Sequence, residues 1–205
     1  MIAISCKKDS LRKSGNIVSE TRSLAAFESI SSKGSNPLII KYGNKFEVVV
    51  KGSDNLLPHF QTTIVGKELQ LGFDVSEVKN DDVEVFITLP ILKGIKVNGS
   101  SEVEISGTFG VLEQLDIQSN GSSKITAVDN LKVDNLSINL SGSGRINFEN
   151  AMATNSNVIL SGSGNINLST QGKLKVAISG SGTVSYRGNP TLETQITGSG
   201  KVIKL

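Results

Sequence analysis

The sequence predicts an all-β protein in which a parallel β-helix, with coils of 18–22 residues, follows an antiparallel β layer at the N-terminal end. Three observations predict this class. A glycine-rich word recurs at nearly constant spacing, and apolar residues alternate with polar ones on both sides of each copy. The composition is also typical of strands joined by tight turns, because 21 of the 205 residues are Gly and none is Trp.

The recurring word reads NGSS in its first two copies and SGSG or TGSG in the last four. Its first glycines are separated by 22, 21, 20, 18 and 18 residues, a period that suits one coil with two or three short strands. We expect the coil to turn a corner at each word, since glycine adopts a positive φ at no steric cost. The predicted corner glycines are Gly99, Gly121, Gly142, Gly144, Gly162, Gly164, Gly180, Gly182, Gly198 and Gly200.

An apolar β-branched residue lies at the second position after each word, between mostly polar neighbours. This period of two indicates strands with one face inward. In a parallel β-helix, equivalent residues stack about 4.8 Å apart and form an interior column. The predicted column is Val103, Ile125, Ile146, Ile166, Val184 and Val202. An antiparallel meander or sandwich remains an alternative, because alternation does not show strand direction.

The glycine word is absent from residues 24–90, yet strand patterns continue there. Residues 36–52 predict a hairpin that turns at Gly43 and Asn44, and residues 60–73 predict another that turns at Gly66 and Lys67. Residues 81–90 predict a strand that Pro90 ends.

These strands predict an antiparallel layer over residues 24–90 that caps one end of the repeat region, residues 91–205. No linker is evident near residue 90, so a single continuous domain over residues 24–205 is an alternative to two units.

The first residues, MIAISCKKDS, resemble the end of a bacterial lipoprotein signal, in which a short apolar stretch and a small residue precede the lipidated cysteine. Cys6 is the expected lipidation site, and residues 1–23 are expected to be a signal remnant and a polar tether. The basic start of such a signal is missing. The sequence therefore starts inside a longer signal, or Cys6 is incidental in a terminal segment. Lipidation predicts an exported protein at the outer membrane, the cell surface or in the periplasm.

Charge and residue types exclude several classes of function. A net charge of +2 does not indicate a nucleic-acid partner. The single Cys excludes an intrachain disulfide, and the single His excludes a multi-histidine metal site. The words lack the Asp of calcium-binding nonapeptide repeats, and each leads into a strand rather than the helix of a phosphate loop. We expect no metal and no cofactor, and membrane contact only through a lipid on Cys6.

Few residues suggest catalysis. His59 is the only histidine, and its position after Pro58 among apolar residues favours a structural role. Three pairs of carboxylates are candidate acid/base or metal-binding groups: Glu102 with Glu104, Asp81 with Asp82, and Asp129 with Asp134. No pair recurs across coils, so solvated surface charge is expected. We therefore expect no catalytic residue; a polysaccharide lyase or hydrolase on a β-helix scaffold is the alternative.

The outward positions of the coils carry rows of polar residues that either hydrogen-bond along the solenoid or bind a glycan or protein partner. These rows are Lys124, Arg145, Asn165, Thr183 and Lys201, and beside them Thr126, Asn147, Asn167 and Ser185. The last word runs to Leu205 without an atypical repeat. We expect the N-terminal layer or a second copy, in a homo-oligomer, to cover the C-terminal coil.

Residues 26–205 resemble the GIN-domain family, which is described as "putative auto-transporter adhesin" head domains and is common in surface and periplasmic proteins of Bacteroidetes. The resemblance rests on FESI, SDNLLPHFQT, KELQL, VEVFITLPILKGIKVNGSSEVEI and the serial SGSG words. It implies right-handed β-helical coils and a role in cell-surface adhesion, and it implies no catalytic residue. The first two words depart from the pattern, with GSS in place of GSG.

Overall fold

The computed structural model describes residues 10–75 and 77–205. Within these ranges the chain forms strands, one 3-10 turn at Leu57–His59 and no α-helix. The predicted all-β class and the parallel solenoid are confirmed. None of the described residues belongs to a helix long and apolar enough to cross a membrane.

The strands fall into two groups in chain order. The N-terminal group is β1 (Leu11–Arg12), β2 (Ile17–Arg22), β3 (Ser29–Gly34), β4 (Leu38–Tyr42), β5 (Glu47–Ser53), β6 (Phe60–Val65), β7 (Glu68–Phe73), β8 (Val78–Lys79) and β9 (Glu84–Leu89). The repeat group is β10 (Gly94–Gly99), β11 (Glu102–Ser106), β12 (Leu112–Gly121), β13 (Lys124–Ala127), β14 (Leu131–Gly142), β15 (Arg145–Gly162), β16 (Asn165–Gly180), β17 (Thr183–Arg187), β18 (Thr191–Gly198) and β19 (Lys201–Lys204).

Two long parallel sheets enclose the core, one before each corner and one after it. The sheet before the corner, which we name the front sheet, has the order β7, β3, β10, β12, β14, β15, β16 and β18. The sheet after the corner, the back sheet, has the order β9, β4, β11, β13, β15, β16, β17 and β19. The long strands β15 and β16 belong to both sheets because they continue around the coil.

Apolar residues of the back sheet stack in one interior column. Strand pairing places its members in consecutive contact: Val85, Leu38, Val103, Ile125, Ile146, Ile166, Val184 and Val202. All are fully buried except Val202, which is partly exposed. Each buried side chain of this size contributes about 1.5–3 kcal/mol relative to exposure, so the column is a main source of stability. Leu38 and Val85 extend it beyond the predicted repeat region.

The first glycine of each word has a positive φ, between +114° and +144°. These glycines stack directly on one another through strand pairing, which places every corner over the previous one. The second glycines differ, because none of Gly144, Gly164, Gly182 and Gly200 has a positive φ. A Cβ on Gly164 would lie 2.7 Å from the carbonyl oxygen of Gly144 and 2.6 Å from a methyl group of Leu140. The second glycine is therefore required by close packing.

The coil stack begins earlier than predicted. β3 and β4 pair in parallel with β10 and β11, so residues 29–42 already form a coil. Its corner is Gly34, which has φ +117° and pairs with Gly99. The word at this corner is GSNP, in which Asn36 replaces the second glycine or serine, so the sequence pattern did not reveal it. Strand pairs thus cross residue 90, and one hydrophobic cluster extends from Phe27 to Tyr186.

The first predicted hairpin is wrong. β9 lies between β4 and β5, parallel to β4 and antiparallel to β5. Local alternation could not reveal this, because stacking on the rest of the solenoid selects the neighbour of β4. The second hairpin is confirmed, since β6 and β7 are antiparallel and turn at Gly66 and Lys67. The alternate apolar residues of β9 and the residue before it, Val83, Val85 and Ile87, are all buried.

Part of the predicted tether is ordered against the fold. β1 pairs in parallel with β8, and β2 pairs antiparallel with β5. The tether prediction is therefore wrong for residues 11–22, which form the two strands β1 and β2, held by backbone pairing and polar contacts more than by apolar burial. Cys6 lies outside the described residues, and its lipidation stays a prediction.

The two ends of the solenoid differ. The antiparallel strands β2, β5 and β6 lie at the N-terminal end, so the expectation that this layer covers the C-terminal coil is wrong. Every described position of β18 is exposed, including Leu192 and Ile196 at 41% and 42%. The last coil is also atypical after all. Thr194 and Lys204 pair with Val176 and Tyr186, and they place polar side chains in columns that are apolar in the preceding coil.

Candidate functional site

The single histidine lies at the end of the 3-10 turn and not in a cleft of acid/base groups. Its backbone N–H donates to the carbonyl oxygen of Leu56 at 3.0 Å. His59 Nδ1 lies 3.4 Å from Asp74 Oδ1, and both side chains are about two-fifths exposed. This pair is exposed at the surface, and such pairs contribute little to the stability of the fold.

Most carboxylates of the three candidate pairs bond to other residues of the fold. Asp82 accepts hydrogen bonds from the backbone N–H and the hydroxyl of Ser53, at 2.9 and 2.8 Å. Asp129 accepts one from the backbone N–H of Gly107 at 2.7 Å, and Glu102 pairs with Lys124. Within residues 10–75 and 77–205, no three His, Cys, Asp or Glu side chains come together as a metal site.

The outer surface of the front sheet, which we name the front face, carries two adjacent columns of outward residues. They point outward because strand alternation places their neighbours, such as Ile117, in the core. The first column is Glu68, Ser29, Gly94, Asp116, Ser137, Asn157, Lys175 and Glu193. The second column is Gln70, Ser31, Lys96, Gln118, Asn139, Ile159, Ala177 and Gln195.

Three hollows follow one another along this face, with volumes of about 310, 300 and 210 Å³ from the N-terminal end. Glu68 and Lys96 line both of the first two hollows, and Asp116 lines both the second and the third. The small residues Ser29 and Gly94 line the second, where larger side chains would fill the space. The hollows are thus parts of one trough, which runs across the strands and along the solenoid.

Opposite charges are paired beside the second hollow and at the C-terminal end of the trough. Glu28 accepts from Lys67 and Lys93, each at 2.7 Å, and these contacts lower the pKa of its carboxyl. At the C-terminal end Glu193 lies between Lys173 and Lys175, and the hydrogen bond from Lys173 lowers its pKa. Each cluster pairs one carboxylate with two lysines, so one positive charge remains in each.

The centre of the third hollow is uncharged. Two neighbouring strands cross it as rungs: β14 presents Asn135 and Ser137, and β15 presents Asn155 and Asn157. Asn155 Nδ2 donates to Asn135 Oδ1 at 3.4 Å, and Asn135 Nδ2 donates to the carbonyl oxygen of Glu113 at 3.2 Å. An amide group offers both hydrogen-bond donors and an acceptor. These asparagines can therefore bond to a ligand hydroxyl group whether it donates or accepts.

The family model described as "Putative auto-transporter adhesin, head GIN domain" matches residues 26–190. The chain belongs to this family. The GIN-domain assignment agrees with the resemblance that the SGSG words carry, and it covers both the N-terminal strands and most of the repeats. No curated protein matches the chain.

Solved structures share the fold of this GIN domain over nearly its whole length. A putative adhesin from Bacteroides fragilis is 21% identical, with a TM-score of 0.80 over 96% of this chain and 100% of its own. A putative lipid binding protein from Parabacteroides distasonis is 20% identical, with a TM-score of 0.67 over 96% and 100%. A putative adhesin from Parabacteroides merdae is 18% identical, with a TM-score of 0.64 over 96% and 99%. At these identities the likeness concerns the fold.

The polar rows that the sequence analysis selected lie on the back sheet of the GIN domain, not on the front face. Lys124 is paired with Glu102 there, and Asn147 Oδ1 accepts from the backbone N–H of Glu149 at 3.2 Å. The front face was missed because its columns mix Asp, Ser, Asn and Lys. The available signal was the polar residue just before each of Ile117, Ile138, Val158 and Val176.

Proposed function

We propose that this chain is an exported, non-catalytic binding module of the cell envelope and that its front face holds a glycan or protein partner. Membership of an adhesin-head family supports a surface role. The single observation that carries the proposal is the continuous trough, because three hollows in line give an extended ligand a contact surface.

The architecture supports binding over catalysis. A solenoid repeats equivalent side chains at equal spacing, and many weak contacts along it add up to useful affinity for an extended partner. The carboxylates of Asp82, Asp129 and Glu102 each bond to a different part of the fold, at Ser53, Gly107 and Lys124.

A matched pair of substitutions tests the front face. Asn157→Arg places a bulky cation in the third hollow of the trough, whereas Asn167→Arg makes the same change on the back sheet. Ligands are first identified by screening the full chain against glycan and protein arrays. We expect Asn157→Arg to weaken binding of a captured ligand at least about tenfold, or about 1.4 kcal/mol, and Asn167→Arg to leave it unchanged. Equal thermal stability of the two variants shows that the fold is retained.

Two results would contradict this function. Binding that survives Asn157→Arg would place the site elsewhere. Turnover of a polysaccharide, measured as new reducing ends and abolished by one Asp or Glu substitution, would make the chain an enzyme.

We also propose that Cys6 carries the lipid that anchors the exported chain. The MIAIS stretch before it, with a small residue at Ser5, supports this assignment. Expression of the chain behind a complete bacterial lipoprotein signal, in the presence of a clickable fatty acid, should label the wild type and place it in the membrane fraction. Cys6→Ser should remove both the label and the membrane association. Labelling of Cys6→Ser to the same extent as the wild type would refute lipidation at Cys6.

A further inference from the structure

We infer that the ligand of the front face is a neutral, linear glycan that lies in the third hollow of the trough, across strands β12, β14, β15 and β16, with about one sugar unit over each strand. This inference rests on the proposed function and narrows it to one chemical class.

The charge pattern favours a neutral ligand. In the third hollow, the outward residues of the two central rungs, β14 and β15, are Asn135 and Ser137 on one strand and Asn155 and Asn157 on the other. The nearest lysines, Lys173 and Lys175, share Glu193, and Asp116 accepts from Gln114 Nε2 at 2.6 Å. An anionic chain would have to displace Glu193 from these lysines, and a cationic one would find a single carboxylate in the third hollow.

The backbone of the face excludes an added peptide strand. β14 is paired with both β12 and β15, and β15 is paired with both β14 and β16. Their backbone N–H and C=O groups are therefore used within the sheet, and strand addition requires a free edge. Binding at this surface must rely on side chains.

Those side chains match the chemistry of sugars. Amides and hydroxyls both donate and accept, as sugar hydroxyls do. Ile159 is 40% exposed in the middle of the face, and Ala177 lies on the next rung, so an aliphatic patch is available for the C–H face of a sugar ring. Because the described face offers no aromatic platform here, each sugar is expected to bind weakly and affinity should depend on chain length.

The spacing of the rungs sets the length of the ligand. Strands β12, β14, β15 and β16 present the residues of the third hollow, and three inter-strand steps of about 4.8 Å span about 14 Å. A pyranose chain linked through opposite sides of each ring repeats at a distance close to one such step. Four units therefore cover the third hollow.

The test uses β-1,4-linked glucose oligomers of two to six units as neutral probes and the matching glucuronate oligomers as anionic probes, both by calorimetry with the full chain. Affinity for the neutral oligomers should rise to about four units and then level off, and it should change little with salt. The glucuronates should bind at least about tenfold more weakly.

Variants assign the effect to named atoms. Asn157→Ala and Ile159→Ser should each reduce affinity for the neutral tetramer several-fold, whereas Asn167→Ala on the back sheet should not. Two results would overturn this inference and leave the proposed function standing. One is that the glucuronates bind more tightly than the neutral oligomers. The other is that no neutral oligomer binds, while a protein ligand binds the wild type and is lost on Asn157→Arg. If a captured ligand binds every front-face variant as tightly as the wild type, both this inference and the proposed function are wrong.

Discussion

At each corner of the solenoid, the chain passes so close to the previous coil that a side chain has no room. Gly162 has φ +118°, a region that L-residues rarely adopt, and a Cβ built on it would overlap the carbonyl oxygen of Gly142. The same relation holds between Gly180 and Gly162 one coil later. Glycine is required here for two separate reasons, backbone conformation and contact distance.

Gly162→Ala is therefore expected to lower the free energy of unfolding by about 2–3 kcal/mol. About 1–2 kcal/mol of this comes from the positive φ, and the rest from the shift of the Gly142 carbonyl. Chemical denaturation monitored by circular dichroism measures the loss. Gly110→Ala is the control, since nothing lies within 4 Å of its would-be Cβ, and it should change stability by less than about 0.5 kcal/mol. Equal stabilities of the two variants would refute the close-contact argument.

At the scale of elements, a polar latch holds the N-terminal strands to the solenoid. Asp54 accepts from the hydroxyl of Ser14 at 2.6 Å and from Asn16 Nδ2 at 2.8 Å. The hydroxyl of Ser53 accepts from the backbone N–H of Gly15 at 3.0 Å and donates to Asp82. These contacts fix the turn between β1 and β2, which buries little apolar surface of its own.

The latch should open at low pH. Burial raises the pKa of Asp82, but hydrogen bonds from Ser53 and the charge of Lys13 outweigh it, so the net pKa is lowered. The hydrogen bonds from Ser14 and Asn16 lower the pKa of Asp54. A lowered folded-state pKa stabilises the fold above the unfolded value, about 3.9, and this stabilisation is lost as pH falls through the folded value.

Amide exchange or NMR signals of β2 measure this opening. We expect protection of β2 to hold from neutral pH to about pH 4 and to fall below it, while β14 and β15 stay protected. Asp82→Asn and Asp54→Asn should free β2 already at neutral pH, and the exposed Asp134→Asn should not. Protection of β2 that is the same at pH 6 and pH 2 would contradict the latch.

The repeat region could be predicted from the sequence because glycine words and alternation are local signals. Ile125, Ile146 and Ile166 follow their words at the same distance, and they stack in that order. The partners of β4 and β5 could not be predicted, since β9 enters between them from 30 residues further along the chain and no turn signal marks its position. The corner at Gly34 could not be recognised, because Asn36 and Pro37 make its sequence differ from the other glycine words.

The front face was hidden for a related reason. Asp116, Ser137, Asn157 and Lys175 have little in common as residue types, and only the strand register brings them into one column. Sequence reasoning favoured the positions after each word, where Lys124, Arg145 and Asn165 look more alike. On a solenoid, the strand register decides which residues share a binding surface, and similarity between residue types is a weaker guide.

At the scale of the whole molecule, the two ends of the solenoid are not equivalent. The N-terminal end is closed by antiparallel strands. At the other end, no strand in the described part of the chain pairs with the outer edges of β18 and β19, and the side chains of Leu192, Ile196 and Ile203 are exposed. Thr194 and Lys204 reduce the apolar area of this end, and Lys204 Nζ donates to Asn189 Oδ1 at 2.7 Å. The C-terminal end is therefore partly adapted to water and still carries a free edge.

A second copy of the chain is the partner we expect at this end, through pairing of the free edges around a two-fold axis. Because Thr194 and Lys204 leave only a small apolar patch, the association should be weak and should rise with protein concentration. Sedimentation velocity over a concentration series measures it. Ile196→Lys, which adds a charge to the edge strand, should hold the chain as a monomer at every concentration. Val111→Lys, at a position that is also exposed but lies away from this end, should not. A wild type that sediments as a monomer throughout would show that the polar residues of the last coil suffice to keep its edge solvated.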